Sequence, residues 1–280
     1  MEVYERIKDI KEKVDALRKE GKTIGLVSTM GYLHEGHLRL FDEAKKKADI
    51  VIVAVFVNPK QFGPNETLAK YPKDLEGDKK KCEARGIDIL FAPSVEEIYP
   101  KGFSTSVAED ELSKDLCGKS RPYYFKGVTT LIAVYLNAIK PDGLCLGQRD
   151  AQLTAVVTKM IKDLQFDVKL CEIPIVRDEH GVVYSSSYFL MTDAQRNDAR
   201  KVYEALEAGK KMADQGMRNV DRIIAEATHK LRQSLRLRVI YVSVVDKVTM
   251  KPLREVVPGQ TLLMTAVWLD EYRLIDNIIL

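Results

Sequence analysis

The sequence predicts an α/β protein: a doubly wound parallel sheet through about residue 176, followed by a smaller α+β C-terminal domain. Three observations carry this expectation. The run IVIVAVFV, from Ile50 to Val57, is β-branched and has no polar alternation, as suits a strand covered on both faces of a parallel sheet. Strand-like and helix-like stretches then alternate as far as Val176. Beyond it the order changes to two helices and then strands, so we expect domains at 1–176 and 177–280.

In chain order, MEVYERIKDIKEKVDALRKE reads as a charged amphipathic helix with Val3, Ile7, Ile10, Val14 and Leu17 on its apolar side. A β-rich run, Lys22 to Val27, enters a turn at Thr29-Met30-Gly31, and a helical pattern opens at His34 with Phe41, Ala44 and Ala48 on one side. After Ile50–Val57, the segment NPKQFGPNETLAKYPKD has three prolines and a glycine and reads as a long ordered loop, where ligands of parallel sheets bind. A charged helix (75–85), a strand (88–92) and a loop-rich stretch to Tyr124 follow. Then come a buried helix (128–139), the short strand GLCLG ending at Gly147, a helix from about Ala151 to Leu164, and a strand from Val168 to Val176. The C-terminal part offers amphipathic helices at 197–215 and 220–235 and strands at 239–246 and 261–269.

Composition excludes several classes. The 44 basic and 41 acidic side chains leave a formal charge of +3, too even to indicate nucleic acid or a membrane surface as partner. No run of about eighteen apolar residues occurs, and the N-terminus lacks a signal-peptide core, so a cytoplasmic protein is expected. The four cysteines, Cys82, Cys117, Cys145 and Cys171, form no C-x-x-C pair. Buried, reduced thiols are expected there, and no protein-held metal.

The stretch VSTMGYLHEGHL (27–38) is the chemical focus. A turn opening a helix presents N–H groups and the positive end of the helix dipole, which together attract an anion. His34 and His37, three apart, share one face of the first turn. Two imidazoles at a helix start suit a polyphosphate whose charge grows on displacement at the α-phosphorus. By itself, His-x-x-His more often holds a turn together.

Further blocks set that motif in a family. TMGYLHEGHL (29–38), FVNPKQFGPNE (56–66), YPKD (71–74), PSVEEIYP (93–100), LSKDLCGKSRP (112–122), FKGV (125–128), GQRDAQ (147–152), PIVRDEHG (174–181) and RLIDN (273–277) occur in order along the whole chain. In these blocks the sequence resembles the pantothenate synthetase (pantoate–β-alanine ligase) family, adenylate-forming enzymes of the HIGH-motif nucleotidyltransferase superfamily with a Rossmann-like sheet. The resemblance implies ATP and Mg2+ as cofactors. Pantoate carboxylate would attack the α-phosphorus, giving pantoyl adenylate and pyrophosphate, and the β-alanine amine would then displace AMP. It also implies a homodimer with small-molecule substrates.

Position by position, the resemblance implies that Met30, Gly31, His34 and His37 hold ATP phosphates, with His37 as proton donor. Gln61 would bind the hydroxy acid beside the β-alanine path. Gly147 and Asp150 would meet the ribose, Val176 would hold adenine through its backbone, and Ser185 and Ser186 would donate to the triphosphate. Arg149 stands at a catalytic phosphate-contacting position, Leu153 and Tyr124 at substrate-binding ones, and Asp74 would face magnesium or stand behind the residues that touch the ligand. Alternatives stay open from the residues alone. Gln61 could cap a turn, Asp150 could be a helix N-cap, and Ser185–Ser187 could be a solvated run.

The chain departs from the family pattern mostly around this site. Ser28 replaces proline, Tyr123-Tyr124 replace Gly-His, Leu146 an aromatic residue, Arg149 a lysine and Leu153 a glutamine. Tyr184-Ser185-Ser186-Ser187-Tyr188 stands for Met-Ser-Ser-Arg-Asn. Arg149 exchanges a compact ammonium for a planar fork, and losing the cation at Ser187 removes a contact of roughly 1.5–3 kcal/mol. Leu153 deletes polar readout of the acid, and the tyrosines add bulk. Two readings follow: a ligase whose acid pocket takes pantoate or an altered partner, and a nucleotide or small-molecule binder without ligation. Nucleotidyl transfer to a phosphate-bearing acceptor leaves NPKQF and the C-terminal domain unexplained, and RNA binding lacks a basic stripe.

Overall fold

The computed structural model describes residues 1–63 and 68–280. The stretch 64–67 of the expected long loop, and with it the end of the FVNPKQFGPNE block, lies outside the described residues. The chain forms two compact units. One comprises Met1–Asp110, Arg121–Gln148 and Val156–Pro174; the other comprises Glu111–Ser120, Arg149–Ala155 and Ile175–Leu280.

The first unit contains a six-stranded parallel sheet, with strands β1 (Glu2–Tyr4), β2 (Ile24–Thr29), β3 (Ile50–Val55), β4 (Ile89–Phe91), β5 (Gly143–Gly147) and β6 (Lys169–Ile173). Their order across the sheet is β1-β4-β3-β2-β5-β6. The chain therefore builds outward from β2 through β3 and β4, then returns to the other side of β2 for β5 and β6. That reversal between β2 and β5 is where open parallel sheets leave a crevice at their carboxyl edge.

Register explains the unbroken apolar runs. Leu26 pairs with Ile52 and Leu144, and Ile52 with Ile89, so these four face one side of the sheet. Val27, Val53, Leu90, Cys145 and Cys171 face the other side. Helix α2 (Glu35–Lys45) covers the second face, with Phe41 fully buried among Val27, Val51, Val53 and Leu90. Burying one such ring contributes about 1.5–3 kcal/mol. Helices α1 (Ile7–Lys19) and α6 (Tyr124–Ile139) pack together, and Tyr135 of α6 meets Phe91 edge to face at 6.0 Å. Helices α3 (Leu75–Ala84) and α4 (Val95–Ile98) flank β4 in sequence.

The N-terminus corrects one expectation. Val3 does not belong to an amphipathic helix: residues 2–4 are an edge strand, Val3 pairing with Leu90, and helix α1 starts at Ile7. The unpaired edge of β4 supplies hydrogen bonds to those three residues, and Lys13 of α1 ties back to Glu2 at 2.7 Å.

In the second unit a three-stranded antiparallel sheet, β7 (Leu237–Asp246), β8 (Thr261–Leu269) and β9 (Tyr272–Ile279), carries α8 (Asp193–Asp214) and α9 (Val220–Leu231). Leu206, Ile223, Leu231, Leu263 and Val267 form the core between them. Val245, Leu262 and Met264 face the opposite side, against Leu112, Leu116, Ala151 and Ala155. These last lie on the segment holding α5 (Cys117–Ser120) and on the start of α7 (Ala151–Asp163). β8 is thus covered on both faces, which is why it too reads as a continuous apolar run. All four cysteines are buried and unbridged. Among the described residues no helix is long and apolar enough to cross a membrane.

Candidate active site

Candidate residues of the first unit collect at the carboxyl edge of three neighbouring strands. β2 leads into Met30–His37, β3 into Asn58–Gln61, and β5 ends at Gly147. The turn after β2 is sharp: Gly31 has φ of 77° and Tyr32 of 51°, both left-handed. Glycine is required at 31, because a Cβ there would sit 2.9 Å from Asp78 Oδ2 and 3.1 Å from a Val55 methyl. Thr29 Oγ1 accepts the Gly31 amide at 3.2 Å.

His34 is the N-cap of α2, and the two histidines close a capping box. The Gly36 amide donates to His34 Nδ1 at 3.2 Å, and the His34 amide to His37 Nδ1 at 3.3 Å. The ring centroids lie 4.0 Å apart. A neutral imidazole that accepts at Nδ1 carries its proton at Nε2, so the cap geometry assigns an Nε2–H donor to both rings. The turn-holding reading of His-x-x-His is thus realised through Nδ1 of each ring.

Gln61 is buried at the end of a 3₁₀ turn, Pro59–Gln61, which Asn58 caps through the Lys60 amide. Asn58 is fully buried, donating to Gly127 O at 3.0 Å and accepting from Tyr99 OH at 2.9 Å. Helix α6 comes so close here that a Cβ on Gly127 would lie 2.4 Å from Lys60 O. Arg121 donates to Gln61 O at 3.1 Å and stacks on Tyr124, 4.0 Å from guanidinium carbon to ring centroid. Gly147 closes β5 with open space where a side chain would be.

Candidate residues of the second unit form their own group. Arg149 reaches Tyr184 O at 3.4 Å, and its carbonyl accepts from Asn277 at 3.0 Å. Asp150 Oδ1 accepts the Leu153 amide at 3.0 Å, so it does cap a helix start. Leu153 is half-buried on α7. Val176 O accepts the Tyr184 amide at 3.1 Å, and Ser185 Oγ accepts that of Tyr188 at 3.2 Å. Tyr184 and Tyr188 pack with Phe189, and the Tyr188 hydroxyl reaches Asp178 at 3.0 Å. Ser186 lies in the same loop.

Three participants escaped the sequence reading. Asp78, 1% exposed on α3, accepts the Tyr32 amide at 2.9 Å and the Leu33 amide at 2.7 Å. Desolvation pushes its carboxyl above the usual range, against the pull of those two amides. Lys81, on the same helix, donates to Leu33 O at 2.7 Å. Arg177 forms a two-pronged pair with buried Asp276 at 2.6 and 2.8 Å and lies over the Tyr203 ring. Asp74 caps α3, accepting the Gly77 amide at 2.9 Å. Among the described residues no group of three His, Cys, Asp or Glu could hold a metal ion.

A six-stranded parallel sheet with a histidine-capped helix after its second strand defines a nucleotidyltransferase fold of the HIGH type. The sequence profile of the family described as pantoate-beta-alanine ligase matches residues 2–279. Pantothenate synthetase of Thermotoga petrophila is 41% identical over 280 residues, covering all of both chains. The crystal structure of pantothenate synthetase from Thermus thermophilus superposes with a TM-score of 0.94 at 37% identity, covering 100% of this chain and 99% of that one. Pantoate-beta-alanine ligase from Francisella tularensis, complexed with beta-gamma ATP and beta-alanine, gives 0.82 at 29% identity, with coverage of 100% and 97%. The chain belongs to the pantoate–β-alanine ligase family.

Proposed function

We propose that this chain is an ATP-dependent, AMP-forming ligase that joins pantoate, or a closely related small hydroxy acid, to β-alanine through an acyl adenylate. The observation that carries the reading is the histidine capping box at the carboxyl edge of β2, with an Nε2–H assigned to both rings. Two such donors and a helix N-terminus suit the β- and γ-phosphates, and they stabilise the charge that builds on pyrophosphate as it leaves.

A carboxylate oxygen of the acid attacks the α-phosphorus, and the bond from that phosphorus to the bridging oxygen of pyrophosphate breaks. The amine of β-alanine then attacks the acyl carbon, AMP leaves with one carboxylate oxygen, and the amine proton goes to solvent or to AMP. Gln61 would hydrogen-bond the acid, held by Arg121 and the Asn58 turn. Gly147, Asp150 and Val176 would take the nucleoside, and Arg149, Ser185 and Ser186 the triphosphate. Magnesium would arrive with ATP, because the described residues offer no three-ligand cage and this ion is commonly held by substrate phosphates. A cytoplasmic homodimer belongs to the same proposal, the dimer supported by resemblance.

Pyrophosphate release measured with ATP, pantoate and β-alanine tests this. We expect turnover dependent on all three; no ATP consumption with any small acid and amine would refute it. The second reading, binding without ligation, draws on Leu153, Ser187 and the packed Tyr184–Tyr188–Phe189 cluster. It requires ATP binding without pyrophosphate release.

A further inference from the structure

We infer that Asp78 is a positioning residue for the nucleotide site: its carboxylate fixes the turn that presents His34 and His37. The inference rests on the reading of those histidines given above. α3 is a charged helix whose Glu76 and Glu83 point to solvent, yet Asp78 is buried. A buried carboxylate is expensive unless its oxygens are hydrogen-bonded. Here each oxygen takes one of two consecutive amides, Tyr32 at 2.9 Å and Leu33 at 2.7 Å. Tyr32 holds a left-handed conformation that non-glycine residues adopt only when their surroundings impose it.

Lys81, three residues further along α3, takes the Leu33 carbonyl, so both polar backbone groups of Leu33 are gripped from one helix. The next residue is the N-cap, His34. Gly31 completes the fit, since any side chain there meets the same carboxylate oxygen. Helix α3 therefore sets where the capping box begins. Desolvation raises the Asp78 carboxyl despite two amide donors.

The test compares full-length wild type, Asp78→Asn, Lys81→Met and Ser94→Ala. Ser94→Ala removes the cap of α4 and serves as the control for general destabilisation. We expect Asp78→Asn to weaken ATP binding in calorimetry, and to raise KM for ATP, tenfold or more. Its KM for β-alanine should stay within twofold. Lys81→Met should shift the same constants about threefold, and decides the matter should Asp78→Asn fail to fold. The imidazole Cε1–H resonances of His34 and His37 should move in both variants and stay in Ser94→Ala. Unchanged resonances and ATP affinity in both variants, or equal changes in Ser94→Ala, would overturn the inference. A wild type that binds no ATP refutes the proposed function instead, and the resonances still decide whether Asp78 sets the turn.

Discussion

His34 and His37 share a capping box in which each ring receives a backbone N–H at Nδ1, with ring centroids 4.0 Å apart. Under the proposed function, helix capping uses Nδ1 of each ring and the phosphates would be met from Nε2. His37→Ala should lower kcat/KM for ATP roughly ten- to hundredfold, the effect of one hydrogen bond to a charged group at about 1.5–3 kcal/mol. His37→Asn, which can still accept the His34 amide, should recover helix stability but not activity. Steady-state kinetics beside thermal denaturation separates the two roles.

The core of the first unit contains a polar orphan. Tyr135 is fully buried, its hydroxyl has no hydrogen-bond partner among the described residues, and burial pushes its ionisation far above the usual value. An unmade buried hydrogen bond costs about 1–3 kcal/mol. Tyr135→Phe should therefore raise stability by about 1 kcal/mol in urea denaturation, and a loss of stability would show that the hydroxyl has a partner.

In the second unit, half-buried Arg177 and buried Asp276 are doubly hydrogen-bonded. Removing one member strands the other, which costs about 3–5 kcal/mol. Asp276→Ala should lose that much in denaturant titration, and more than Arg177→Met combined with Asp276→Leu.

Asp246 supplies a pH-dependent contribution. Its carboxylate accepts the Thr249 amide and hydroxyl and the Val248 amide, which hold it below its usual pKa near 3.8. A depressed carboxylate adds stability that is complete above the unfolded value and is lost as pH falls through the folded one. Asp246→Asn should therefore be less stable than wild type at pH 6, with the gap closing below about pH 4. A gap that widens in acid would contradict this.

What could be read from the sequence follows from what local pattern encodes. β3 and β8 declare themselves because both faces are covered and, apart from Thr261 and Thr265, every position is apolar. β9 hides because Arg273, Asp276 and Asn277 interrupt its pattern; Asp276 is inward-facing but answered by Arg177, 99 residues away. β1 is short and borrows its conformation from β4, so its local sequence merges with the following helix. The same distinction holds at the site. His34 and His37 stand out through their spacing, whereas Asp78 sits in an ordinary charged helix and gains its role only from contact with a turn 45 residues earlier. Asp74, four residues before it, caps the same helix through the Gly77 amide, a purely local contact.

The most direct measurement follows oxygen. With both carboxylate oxygens of pantoate labelled as 18O, attack on the α-phosphorus must leave one label in AMP. We expect AMP carrying a single 18O in step with amide formed. Label in inorganic phosphate with ADP as the nucleotide product, or unlabelled AMP, would contradict an acyl-adenylate ligase.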